Sequence, residues 1–163
     1  MFQRPYKLLM KSLIVSIALT LSQGLAVQGL SAQDALTPTL SAPLPDFDNP
    51  RKIMLQLNSS DPQQVNNILY NAINLKKAYG PDNVEIAIIA FGPGMKALYK
   101  NDNAVRSRIE SLMKYDINFV GCGNTMDTTS HKPDDLIKGV SYAPAAIQEI
   151  VERQLDGWIY ISP

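Results

Sequence analysis

Five short apolar runs, separated by longer polar or amphipathic stretches, set the strongest limit on the fold of this chain. They are Ile53–Leu57, Val84–Phe91, Ile117–Val120, Val140–Tyr142 and Trp158–Ile161. The first two are nearly unbroken, with Val84-Glu85-Ile86-Ala87-Ile88-Ile89-Ala90-Phe91 carrying one charge in eight residues. A strand exposed on one face would alternate, so continuous runs predict strands covered on both faces, as in parallel sheets with crossover helices.

The segments between the runs supply those helices. After Asn58-Ser59-Ser60, Asp61 is placed to cap a helix, with Pro62 at its first position and Gln64 three residues on. Val65, Ile68, Leu69, Ala72 and Ile73 then fall on one face, and Gly80-Pro81 ends it. Gly92-Pro93-Gly94 reads as a plain turn, lacking the glycine spacing and lysine of a nucleotide loop, with a short helical piece over 95–99. Asn101 or Asp102 is expected to cap a second helix carrying Val105, Ile109, Leu112 and Met113. A short helix is expected from Asn124, and another turn over 134–138, where Asp134-Asp135 act as caps rather than as a carboxylate pair. A final helix over 145–155 is expected to bury Ala146, Ile147, Ile150, Val151 and Leu155, with Gly157 as its stop. The predicted fold class is α/β, a three-layer α/β/α sandwich on a five-stranded, mostly parallel sheet.

The chain of 163 residues is expected to divide into a signal peptide over 1–32, a Pro-rich linker over 33–50 and one α/β domain over 51–163. Arg4, Lys7 and Lys11 precede an apolar run, Ser12 to Ser22, of about ten residues. A membrane span needs roughly 20. Cleavage is expected after Ala32, with Ala26 and Gly29 as competing sites, giving a periplasmic or secreted protein with no membrane span in the mature chain. No cysteine stands near these sites to take a lipid. Removal of the leader leaves twelve basic against fifteen acidic residues. That weakly acidic balance gives no footing for nucleic-acid binding through phosphates.

Cys122 is the only cysteine, so no disulfide forms within the chain. It is a buried small hydrophobe, an intermolecular pairing site or a reactive thiol. Ligands of open parallel sheets bind beyond the carboxyl ends of the strands. Here those ends are Asn58-Ser59-Ser60, Gly92-Pro93-Gly94, Gly121-Cys122-Gly123 and Tyr142-Ala143-Pro144. A thiol between a strand and a helix start faces unpaired backbone N–H groups, which favour a thiolate or a persulfide anion. The expected site is therefore Cys122 as the catalytic group, with Gly121, Gly123, Asn124, Thr125, Asn58, Ser59 and Gly92 around the sulfur or its ligand. His131, nine positions on, either lies over this cleft and pairs with Cys122 or is a solvated loop histidine; the latter is preferred. Tyr99, Tyr115 and Trp158 are too scattered for a stacking platform, no metal site is expected, and no cofactor is implied.

From Lys52 to Pro163 the chain resembles the DsrE/DsrF-like family, which includes the YchN-like proteins. The resemblance is carried chiefly by Ile117-Asn118-Phe119-Val120-Gly121-Cys122-Gly123-Asn124-Thr125-Met126. Asp134-Asp135-Leu136 before Gly139-Val140, the helix from Pro144 to Val151, and the aromatic last strand support it. It implies homo-oligomers (trimers or hexamers) and, in sulfur-relay members, a persulfide-carrying cysteine that falls here at Cys122. The partners implied are a sulfur donor or acceptor protein, or a small thiol. The rival expectation is a non-catalytic oligomeric binding or scaffold domain with a structural cysteine. A thiol reductase is weaker, since no resolving cysteine is present.

Overall fold

A computed structural model describes residues 38–101 and 104–163. The expected leader (1–32), the first residues of the linker and Asp102, offered as a helix cap, lie outside them. Residues 40–50 form no helix or strand, and the Arg51 guanidinium donates to Ser41 O and Pro43 O at 2.5 and 2.8 Å.

The five strands are β1 (Arg51–Leu57), β2 (Val84–Ala90), β3 (Ile117–Cys122), β4 (Ser141–Ala143) and β5 (Ile159–Ile161). They form one sheet in the order β4-β3-β2-β1-β5, and every neighbouring pair is parallel. The four helices are α1 (Pro62–Tyr79), α2 (Arg106–Met113), α3 (Gly123–Thr128) and α4 (Ala146–Leu155), with 3-10 turns at Gly92–Leu98 and Pro133–Asp135. From β1 to β4 the chain steps across the sheet in one direction, then returns over it to reach β5. Right-handed crossovers put the first three connections on one face and α4 on the other. Accordingly α1 packs on β1 and β2, α2 on β3, and α4 on strands from β2 to β5.

The core fills both sides of the sheet. In β2 every residue except Glu85 is buried, as its sequence requires of a central strand. Asp61 caps α1 by accepting from Gln64 N–H at 2.9 Å, and Val65, Ile68, Leu69 and Ala72 turn inward.

Several boundaries differ from expectation. Gly92-Pro93-Gly94 is the first turn of a 3-10 helix, because Gly94 must press against β1: an added Cβ would lie 2.0 Å from Leu57 O. Helix α2 begins at Arg106 behind Val105, so Asn101 is not its cap. Strand β3 runs two residues further, to Cys122, because β4 pairs there, Val120 with Ser141 and Cys122 with Ala143. Strand β4 accordingly starts at Ser141 rather than Val140, and β5 at Ile159 rather than Trp158. The larger correction concerns α4. Ala146 and Ile150 are buried, but Ile147, Val151 and Leu155 are 57%, 47% and 78% exposed. Only the 146/150 stripe of a ten-residue helix can meet the sheet; the 147/151/155 stripe lies about 100° round the axis, facing away.

Candidate functional site

Chain connections after β3 and β4 leave to opposite faces of the sheet, and open parallel sheets take ligands beyond the carboxyl ends of strands at such a point. Cys122 ends β3 there. The pleat sends Gly121 and Cys122 to opposite faces. A Cβ at Gly121 would come within 3.0 Å of Met95 Cε, so this position looks toward the 3-10 helix after β2. Cys122 therefore looks toward the start of α4, where Ala146 N–H points at its Sγ, 3.5 Å away. No side chain caps α4, and the sulfur takes up this otherwise orphaned donor. The Cys122 amide in turn donates to Met95 Sδ at 3.1 Å.

The residues around the sulfur are locked by backbone contacts. Asn124 N–H donates to Pro144 O at 2.9 Å, fastening α3 to the loop between β4 and α4. Gly123 is needed for that approach, since a Cβ there would meet Pro144 O at 3.0 Å and Ala143 O at 3.2 Å. Thr125 Oγ1 accepts from Gly92 N–H at 3.0 Å, which leaves the hydroxyl proton available to the sulfur.

These contacts set the acidity of the thiol. Burial pushes it up, since only 6% of Cys122 is exposed and the charged form is disfavoured. The Thr125 hydroxyl, then Ala146 N–H, with the nearby Thr125 and Asn124 amides adding to them, outweigh burial and hold the thiol below its ordinary value. The positive end of α4 acts in the same sense.

Beside the thiol lies a cleft of about 650 Å³. Gly92, Pro93, Met95 and Lys96 line one side of it, and Thr125, Thr129, Ser130 and His131 the other, with Ser60, Tyr99, Asn101 and Asp135 completing the wall. Of the site residues expected from sequence, Gly92 and Thr125 line this cleft. Cys122 lies behind Thr125 and Met95, which touch both cleft and thiol site. Gly121, Gly123 and Asn124 shape the backbone around the sulfur instead. Asn58 is exposed, and the Ser59 hydroxyl accepts from Asp61 N–H at 3.1 Å; neither lines the cleft.

His131, read as a solvated loop residue, is instead half-buried in the cleft wall. Its ring stacks on Tyr99 with centroids 3.9 Å apart and planes 6° from parallel. Its Nδ1 lies 3.1 Å from Thr129 Oγ1, and that hydroxyl donates to Thr125 O at 2.7 Å. Thr129 thus accepts from Nδ1–H, which leaves Nε2 as the acceptor of the neutral ring. Nothing in the spacing of Tyr99, Cys122 and His131 signals this stack, which the antiparallel bridge between Tyr99 and Leu136 brings about. Among the described residues no group of three or more His, Cys, Asp or Glu side chains is placed to hold a metal ion, and no helix is long and apolar enough to cross a membrane.

An open parallel α/β sheet with one donor-ringed cysteine at the carboxyl end of its third strand defines the class of this protein. The sequence profile of the DsrE/DsrF-like family matches residues 52–163, and the chain belongs to that family. Solved structures agree. A protein of unknown function from Methanobacterium thermoautotrophicum, MTH1491, is 26% identical with a TM-score of 0.66, over 69% of this chain and 99% of its own. The YchN protein of E. coli shares the fold at 16% identity and a TM-score of 0.60, over 69% of this chain and 99% of its own. BT1422 of Bacteroides thetaiotaomicron, of unknown function, does so at 18% identity and a TM-score of 0.53, over 69% and 94% of the two chains. No functionally curated protein matches the sequence.

Proposed function

We propose that this protein handles sulfur through Cys122, which receives a sulfane sulfur as a persulfide and passes it on. The observation that carries this reading is the convergence of Thr125 and Ala146 donors on a single thiol beside a cleft. Membership of a family with sulfur-relay members supports it. The Cys122 thiolate attacks the outer sulfur of a donor R–S–SH. The Sγ–S bond forms as the inner S–S bond breaks, R–S⁻ leaves with the bonding pair and takes a proton from water, and no net oxidation occurs. The donors that hold the thiolate serve the persulfide anion equally. The basic, then apolar start of the chain supports export, with residues 1–32 removed and the domain acting in the periplasm or outside the cell. The exposed Ile147, Val151 and Leu155 support assembly into trimers or hexamers through α4.

The test is mass spectrometry of the purified protein after incubation with persulfide donors. A gain of about 32 Da, one sulfur atom, that is absent in Cys122→Ser is expected. No such gain with any of several donors refutes the proposal. The deep burial of Cys122 favours a second reading, a packed cysteine in a non-catalytic oligomeric scaffold. It requires that the thiol react with iodoacetamide only after unfolding, whereas sulfur handling requires reaction in the folded state.

A further inference from the structure

Building on the sulfur-handling function proposed above, we infer that the cleft beside Cys122 binds the sulfur donor itself, and that this donor is a low-molecular-weight persulfide of an amino-acid or short-peptide thiol. The volume of about 650 Å³ suits a small organic molecule, since such sites run from roughly 300 to 1,000 Å³. A bare inorganic anion would leave most of it to water.

Among the polar side chains of the wall, Lys96 and His131 complement opposite charges on a ligand. Lys96 offers an ammonium to a carboxylate. His131 offers the opposite. With Nδ1–H committed to Thr129, its neutral ring accepts at Nε2, which suits an ammonium group on the ligand. Asp135, the carboxylate of the wall, uses its Oδ2 to accept from Lys132 N–H at 2.9 Å, so it serves its own turn. One cation and one acceptor match the two ends of a zwitterion. Between them Pro93, Met95 and the parallel Tyr99–His131 faces offer apolar surface to a methylene chain. Thr125 belongs both to this wall and to the contacts of the Cys122 sulfur, so a ligand in the cleft lies one side chain away from the thiol, and transfer passes by way of Thr125.

The experiment uses S-methylglutathione, a peptide thioether that carries both charges but no transferable sulfur, titrated calorimetrically into the purified protein. Saturable binding at one site per chain is expected, unchanged in Cys122→Ser. Weakening of about tenfold is expected in Lys96→Ala and in His131→Phe, which keeps the stack on Tyr99 but removes the ring nitrogens. Unchanged thermal midpoints show that these variants are folded. In parallel, the rate of sulfur gain by Cys122 from glutathione persulfide should saturate with donor and fall when S-methylglutathione is added, while thiosulfate should not compete. Absence of binding, equal binding by the variants, or displacement by thiosulfate overturns the inference. If Cys122 gains sulfur at a rate linear in donor and indifferent to Lys96 and His131, the cleft assignment fails and sulfur handling stands. If the probe binds as expected but Cys122 never gains sulfur, the donor assignment falls together with the function beneath it.

Discussion

Replacing Gly94 by alanine should damage this protein far more than replacing Gly92, although the two glycines share one turn. At Gly94 an added Cβ would sit 2.0 Å from Leu57 O, 2.6 Å from Leu57 C and 3.0 Å from Asn58 N. These are backbone atoms at the end of β1, and Leu57 O already accepts from Phe91 N–H at 3.1 Å. Relief requires the 3-10 helix and the strand end to part by about 1 Å, which opens that bond and loosens packing around Met95 and Leu98, both fully buried. Overpacking of this kind costs about 3 kcal/mol, at the upper end of measured cases. At Gly92 the backbone is left-handed, φ +52°, but no atom lies within 4 Å of an added Cβ. The left-handed conformation costs an L-residue about 1–2 kcal/mol, partly offset by the reduced entropy of the unfolded chain. A net loss of about 1 kcal/mol is therefore expected. Urea unfolding of both variants, with slopes matching wild type, measures the difference. Because Met95 Sδ holds the Cys122 amide and Gly92 N–H holds Thr125, Gly94→Ala should also change the alkylation rate of Cys122. If Gly94→Ala lies within about 1 kcal/mol of wild type, or Gly92→Ala proves the worse variant, the close approach of this helix to β1 is not what fixes the site.

Two further outcomes follow from the same geometry. Thr125→Val removes the hydroxyl that donates to the sulfur, so the midpoint of the pH profile of Cys122 alkylation should move upward; an unmoved midpoint assigns the lowered pKa to other groups. The sign for stability is fixed likewise: a thiol lowered on folding stabilises the wild type relative to Cys122→Ser fully above the ordinary thiol value, and this contribution fades as pH falls through the lowered one. On the outer face of α4, Val151→Glu with Leu155→Glu should convert a sedimenting trimer or hexamer to folded monomers with an unchanged far-UV circular dichroism spectrum, and a monomeric wild type would refute assembly through this face.

The sheet was legible because its signal is redundant. Ile53–Leu57 and Val84–Ala90 are each apolar but for one residue, Gln56 and Glu85, and Asp61-Pro62 announces α1 with both a cap and a first residue. Boundaries set by contacts distant in sequence were not. The extension of β3 to Cys122 depends on β4, about twenty residues later, and the helical form of Gly92–Leu98 depends on room beside Leu57. The apolar side chains of α4 show the limit of periodicity: Ile147, Val151 and Leu155 have the composition of core residues, yet all three stand exposed on the outer face of the helix. Within the site, Cys122 and Thr125 could be singled out from their neighbours in sequence. His131, Tyr99 and Lys96 could not, because they come from two connections, β2 to β3 and β3 to β4, that meet only when the sheet is complete.

That division explains how a buried cysteine comes to be met by hydrogen-bond donors. Strand parity sends Cys122 away from the cleft side and under α4, where it gains Ala146 N–H and loses solvent. One position earlier, the thiol would face Met95 and Leu98, as Gly121 does, and would meet hydrocarbon and a thioether in place of amide hydrogens. The route between cleft and sulfur then falls to Thr125, whose oxygen is held by Gly92 and whose proton is free to serve the thiol. A valine there preserves the shape but removes both roles. A serine keeps both roles and loses only a methyl group. Thr125→Ser should therefore retain the alkylation midpoint of wild type while Thr125→Val shifts it, and equal behaviour of the two variants would show that shape, not the hydroxyl, governs the thiol.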